Sequence, residues 1–221
     1  MEYSSIKLKK QLIITVGREY GSGGRTSGKM LAEKLGITYY DDEILKMASE
    51  ESAINEELFR MADETPGKNI LRLITNKTKM KLNLNFKNAK DITSPDSLYE
   101  FQSSVIKELA MKDNFVILGR CANHILEDQH SGKVLRIFLY ADFNTRVKRI
   151  MQQEKINEND AIFKIKKKDK KRNDFYKYFT GTDIYDPNKY DIMINTSTIG
   201  FDEVIDVLLG FLNARGFLEI K

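Results

Sequence analysis

Short apolar runs separated by longer stretches of helical periodicity recur along most of the chain. Residues 12–16, 37–40, 115–118, 134–140 and 191–195 are rich in β-branched and aromatic side chains, and most are nearly unbroken in apolar character. Runs of that kind suit strands covered on both faces, because a strand with one wet face alternates apolar and polar residues. Helical patterns fill the intervals at 27–35, 42–53, 95–112, 121–127, 143–153 and 202–214. Ser94-Pro95-Asp96 is a helix start signal, with a capping hydroxyl, proline at the first helical position and an acid near the positive end. In the last helical pattern Val204, Ile205, Leu208, Leu209 and Leu212 form one apolar stripe. Strands alternating with helices predict an α/β fold, a doubly wound parallel five-stranded sheet with helices on both faces. Two segments break the alternation: the polar, lysine-rich residues 54–94, and residues 155–190. Insertions of this size in a compact domain usually cover a ligand or carry regulation.

The loop after the first strand carries the densest chemistry. Gly17-Arg18-Glu19-Tyr20-Gly21-Ser22-Gly23-Gly24-Arg25-Thr26 joins the run at 12–16 to the helical pattern at 27–35. Glycines let backbone N–H groups turn inward without a Cβ in the way, and the positive end of the following helix faces the same anion. The loop reads as a phosphate cradle. Its end, Gly24-Arg25-Thr26, stands where a Walker A loop ends in Gly-Lys-Ser/Thr, with arginine for lysine, although the leading glycine is out of register. A dinucleotide fingerprint is excluded, since no G-x-G-x-x-G is present.

Composition narrows the class. At 221 residues the chain reads as one domain, 1–221, with a sizeable core. A net charge of +4 argues weakly for anionic ligands and does not require nucleic acid. One cysteine, Cys121, forbids an intramolecular disulfide. It reads as a small buried residue and not a nucleophile, and His124 as a packed or half-exposed histidine. No apolar run approaches the ~18 residues of a membrane helix and the first ten residues lack a signal-peptide core, so a cytoplasmic protein with no membrane partner is expected. Residues 164–172 hold seven lysines and arginines and precede Phe175, Tyr176, Tyr178 and Phe179. By itself such a run is a solvated face. Late in a phosphate-loop α/β domain it also suits a lid, which must deliver cations to a transferring phosphoryl group and exclude water.

Two further pieces complete a resemblance. With the Gly21–Arg25 loop, residues 117–126 (Ile-Leu-Gly-Arg-Cys-Ala-Asn-His-Ile-Leu) and 185–197 (Tyr-Asp-Pro-Asn-Lys-Tyr-Asp-Ile-Met-Ile-Asn-Thr-Ser) make the chain similar to the cytidylate kinase-like family, a branch of the P-loop nucleoside monophosphate kinases. The resemblance spans most of residues 13–209. It implies a P-loop NTPase fold with a mobile lid at 155–190, an acceptor-side insertion at 54–94, and ATP and Mg²⁺ as cofactors. By that resemblance Gly21, Ser22, Gly23, Gly24, Arg25 and Thr26 hold the donor phosphates, and Arg25 replaces the P-loop lysine. Thr26 is the candidate Mg²⁺ ligand, or else an N-cap. Arg120 would grip the acceptor phosphate, with a surface salt bridge as its plainer role. Asp41 and Asp42 would face the acceptor, though Asp42 also suits a helix cap. Arg146, Arg149, Lys168 and Arg172 are candidates for the lid and its hinge, with Arg146 set toward the acceptor and Arg149 and Arg172, like Arg25 and Arg120, toward catalysis, and some of them must be ordinary surface charge. Bacterial cytidylate kinases carry an aspartate after the Gly-Arg pair, whereas this chain has Cys121.

The reading that follows is ATP- and Mg²⁺-dependent phosphoryl transfer to a CMP-like monophosphate. A P-loop protein that binds nucleotide for regulation, a kinase of another small phosphorylated acceptor, and a nucleic-acid module built on 164–172 are the alternatives. The last lacks a recognisable reader motif, so small nucleotides are the expected partners, no nucleic acid is expected, and a homo-oligomer is left open.

Overall fold

The structure, a computed structural model, describes residues 5–52, 54–64, 94–127 and 132–220. Five strands, β2 (Ile13–Arg18), β3 (Thr38–Tyr40), β4 (Phe115–Leu118), β5 (Val134–Tyr140) and β6 (Ile192–Asn195), form one sheet in the order β3-β4-β2-β5-β6. Every pairing is parallel, with Ile13 opposite both Phe115 and Val134. All five fall within the apolar runs or a residue or two beyond them. The following strands lie on both sides of β2, so a crevice opens at its carboxyl end.

Pleating divides the apolar side chains between two layers. Ile13, Phe115 and Ile117 face one cluster with α2 (Glu43–Ser52), α3 (Glu56–Glu64), α4 (Pro95–Lys112) and α5 (Ala122–Ile125). Ile14, Val16, Val116, Leu118, Leu135, Ile137 and Leu139 face the other, against α1 (Gly24–Leu35) and α8 (Phe201–Ala214). Its predicted stripe, Val204 to Leu212, is buried there. The Ser94 hydroxyl caps α4, accepting from the Ser97 N–H at 3.1 Å. A third, smaller cluster of Val147, Ile150, Ala161 and Ile165 joins α6 (Phe143–Glu154) to α7 (Glu158–Thr180).

Three features depart from the sequence expectation. A two-stranded antiparallel pair, β1 (Ile6–Leu8) with β7 (Leu218–Ile220), was not signalled, because three-residue strands interrupted by Lys7 and Glu219 carry too short a period to read. The basic run lies inside a continuous 23-residue helix, α7, started by Asn157, whose side chain accepts from the Asp160 N–H at 3.0 Å. Of the insertion expected at 54–94, residues 56–64 form α3, and residues 65–93 lie outside the described residues.

Candidate active site

The phosphate loop is held by glycine geometry. Gly21 and Gly23 have φ of 83° and 86°, and Gly23 is the residue from which α1 starts. A Cβ on Gly23 would lie 2.2 Å from the Phe201 ring, and one on Gly21 3.1 Å from the Arg146 carbonyl. Only glycine fits either place. The first intrahelical bond of α1 runs from the Ser27 N–H to the Gly23 carbonyl at 2.9 Å, so the N–H groups of Gly24, Arg25 and Thr26 precede the ladder. Such groups, with the helix dipole, form an anion site.

Behind the loop lies a buried clasp. Arg146 pairs through Nε with Glu19 at 3.3 Å and through Nη1 with Asp169 of α7 at 2.5 Å, and it donates to the Tyr20 carbonyl at 3.3 Å. Asp169 also accepts from the Tyr20 N–H at 2.7 Å, and Glu19 from the Ala141 N–H at 3.0 Å. Burial raises the Glu19 carboxyl above its ordinary value, against the opposing pull of that N–H and of Arg146. Loop, α6 and α7 are thereby fastened together.

Two cavities meet at the carboxyl end of β2. One, of about 700 Å³, is bordered by Gly21, Gly23, Gly24, Thr26, Arg149 and Phe201. The other, of about 330 Å³, is bordered by Asp42, Arg60, Arg120, Asn123, Lys171 and Tyr176. Arg18, Arg25, Leu118, Lys168 and Arg172 border both. The first lies over the helix N-terminus and suits a nucleoside triphosphate tail; the second suits an acceptor.

Arg120 reaches the second cavity from a strained turn. Gly119, Arg120 and Cys121 have φ of 75°, 59° and 53°, three left-handed residues in succession between β4 and α5. For the two non-glycine residues that conformation costs on the order of 1 kcal/mol each, as at many functional sites. The Gln102 side chain supports the turn, donating to the Arg120 carbonyl at 3.3 Å. The Arg120 guanidinium meets Asp42 at 2.7 Å, and Arg60 stands 3.9 Å from the same carboxylate. Burial pushes Arg120 down to about 10 despite Asp42. Arg60 is held more closely by Glu56, at 2.6 Å, so Asp42 lies between two guanidinium groups that border the same cavity. Burial pushes the Cys121 thiol well up, away from the thiolate that a nucleophile requires.

The remaining predicted residues divide. Gly21, Gly23, Gly24, Arg25 and Thr26 line the larger cavity, whereas Ser22 is buried beneath the loop with its hydroxyl donating to the Glu19 carbonyl at 2.9 Å. Thr26 does not cap α1; Gly23 occupies that position. Arg25 keeps 61 % of its side chain exposed and pairs with Asp41 at 2.5 Å, which leaves Asp41 buried outside both cavities. Arg149 holds Thr196, donating to its hydroxyl at 2.9 Å and its carbonyl at 2.6 Å, and its guanidinium lies 5.1 Å from the centre of the Phe201 ring. Arg172 reaches the Arg18 carbonyl at 3.4 Å and is pushed down to about 9 by burial and by Arg18. Arg146, expected at the acceptor, borders neither cavity and serves in the clasp. Arg18 and Arg60 were missed. Arg18 ends β2 as Arg120 follows β4, so both stand at the carboxyl edge of the sheet.

The residues present fit a magnesium nucleotide. Among the described residues no three His, Cys, Asp or Glu side chains converge as a metal cage. Mg²⁺ at phosphate sites is held mainly by phosphate oxygens and waters with one or two protein ligands, and the Thr26 hydroxyl stands in the right cavity for that.

Comparison with known proteins agrees with this geometry. The cytidylate kinase-like family model matches residues 13–198. Cytidylate kinases from Pyrococcus horikoshii (27 % identity, 86 % of this chain and 82 % of that protein) and Methanopyrus kandleri (25 %, 89 % and 91 %) are similar over most of their lengths. The match to the Sulfolobus acidocaldarius cytidylate kinase, at 29 % identity, spans half of this chain and 59 % of that one. A crystal structure of an uncharacterized protein from Eubacterium ventriosum superposes with a TM-score of 0.66 at 27 % identity, covering 92 % of this chain and 99 % of the other. A gluconokinase from Sinorhizobium meliloti, at 13 % identity and a TM-score of 0.50 over 93 % of this chain and 94 % of that one, shares the fold. A glycine-bound phosphate loop, a parallel sheet with β2 at its centre and a matched family model together establish that the chain belongs to the cytidylate kinase-like family of P-loop phosphotransferases.

Proposed function

We propose that the protein moves the γ-phosphoryl group of ATP to a nucleoside monophosphate, most simply a CMP-like pyrimidine nucleotide. The observation that carries this reading is the pair of abutting cavities, with the α1 N-terminus in one and Arg120 in the other. In the reaction an oxygen of the acceptor phosphate bonds to the γ-phosphorus while the bond to the β,γ-bridging oxygen breaks, and that electron pair leaves on ADP. Bound Mg²⁺ would neutralise the phosphate oxygens. The protein's part is to place both phosphates in line and surround them with fixed positive charge, which supplies most of the rate in such reactions.

Residues 155–190 act as the lid and α3 as an acceptor-side cover. Arg60 of α3 and Lys168 and Arg172 of α7 supply cations from those two sides. The cytoplasm, where ATP and monophosphates are present together, is the proposed setting. Purified protein with ATP and Mg²⁺, offered CMP, dCMP, UMP, AMP and GMP in a coupled ADP-release assay, tests the reading. ADP release that depends on a pyrimidine monophosphate is expected; no acceptor-dependent release across the panel overturns it.

A further inference from the structure

Resting on that reading, we propose that Arg18 supplies the cation at the transferring phosphoryl group, the task of the lysine in an ordinary Walker A loop. The register of the loop is the first argument. The glycine that must be left-handed before the helix is Gly23, and α1 opens with Gly24. With Gly23 as the last glycine of the pattern, the lysine position falls on Gly24, which has no side chain. Arg18 fills that space: a Cβ on Gly24 would lie 2.6 Å from the Arg18 Cβ and 2.8 Å from its Cγ. On the far side, a Cβ on Gly119 would lie 2.1 Å from the Arg18 Nη1. A glycine that opens α1 and a glycine that follows β4 make the channel through which this side chain reaches the junction of the cavities.

Its surroundings supply the second argument. Of the four cations that border both cavities, Arg25 is exposed and held by Asp41, and Lys168 and Arg172 ride on α7. Arg18 alone of the four stands on the sheet, so its position does not depend on how α7 docks. Among the described residues no carboxylate comes within 4.0 Å of its guanidinium and no hydrogen bond leaves its side chain, whereas Arg120 and Arg172 both feel its charge as a repulsion. Burial lowers the affinity of Arg18 itself for its proton, against the more distant attraction of Asp41 and Asp42. A desolvated guanidinium facing two others is stabilised by an anion arriving between them, and a fork of five N–H donors suits phosphoryl oxygens.

The test compares Arg18→Gln and Arg18→Met with the parent, after thermal melts show that each folds; Met keeps an unbranched stem in the channel should Gln not. Titration calorimetry with Mg²⁺ measures binding of ADP and of the β,γ-imido analogue of ATP, and turnover is measured with the monophosphate panel. The ratio of triphosphate to ADP affinity should fall about tenfold or more in the variants, the scale of one charge-assisted contact. Turnover should fall about a thousandfold, the lower end for a transition-state arginine. Arg25→Ala, folded and measured alongside, should lose less of that ratio. A variant that keeps the parent's affinity ratio and turnover overturns the assignment of Arg18 and leaves the kinase reading intact. A lowered ratio in a protein that phosphorylates no monophosphate leaves Arg18 in its role and removes the acceptor reading.

Discussion

At the residue scale the acceptor side rests on Arg120. Its turn fixes the direction of the side chain, and Asp42 is the group that an arriving phosphate must displace or share. Arg120→Ala should raise the KM for the monophosphate by one to several orders of magnitude, as losing a buried charged contact costs about 2–5 kcal/mol, and change the KM for ATP far less. Equal losses for both substrates, read from initial rates, would place Arg120 on the wrong side of the cleft. Much of this site was legible in the chain because strand-end glycines and arginines are local signals. What was not legible depended on partners distant in sequence. The Arg146–Asp169 pairing that withdraws Arg146 from the cavity joins two helices, and the contacts of Arg18 with Gly24 and Gly119 join three elements. No spacing rule spans such separations.

At the element scale α7 sets what moves. It is anchored at its start by Ala161 and Ile165 on α6 and at its end by Tyr176 and by Phe175 and Phe179 against Tyr99, while between them Lys166, Lys167 and Lys170 face solvent and Asp169 and Arg172 reach the loop, so the middle of the helix carries most of the like charge. Amide exchange across 164–172 should be fast in the free protein and slow markedly when ATP and acceptor are both bound. Protection that is equal and strong in both states would make α7 a fixed wall. Arg172→Ala should lower kcat more than it raises KM, because a cation delivered on closure acts in the reacting state. The pairing of β5 with β6 has a titratable anchor. Burial alone would raise the Asp191 carboxyl, but the Arg136 side chain and N–H, at 3.2 Å and 2.8 Å, outweigh it and hold the group below its ordinary 3.8. A carboxyl lowered on folding stabilises above 3.8, and that contribution disappears as pH falls through the lower folded value. Asp191→Asn should therefore destabilise by roughly 1–2 kcal/mol at pH 7, an effect that shrinks toward zero as urea melts are repeated at falling pH. The sheet and its helices were readable because buried parallel strands are unbroken apolar runs. The extent of α7 was not, because a charged helix gives little periodic signal: after Ala161 and Ile165, one turn apart, its next buried residue is Tyr176.

At the scale of the whole molecule, the cleft and the β1–β7 pair occupy opposite sides. The cleft lies at the carboxyl ends of the parallel strands, whereas β1 leads into the amino end of β2 and pairs with β7, Ile6 opposite Ile220. Six residues of β2 put about 20 Å between those two sides. One consequence is topological. A peptide bridge of a few residues between positions 6 and 220 would close the stretch 6–220 into a circle without bending any element that shapes the cleft. Such closure removes freedom only from the unfolded polymer, and for a ring of this size the chain-entropy argument gives an upper bound of roughly 5 kcal/mol. A circular form made by peptide ligation should melt several degrees above the linear one and keep its kcat, and a lower melting temperature would show that β1 and β7 do not lie side by side in solution.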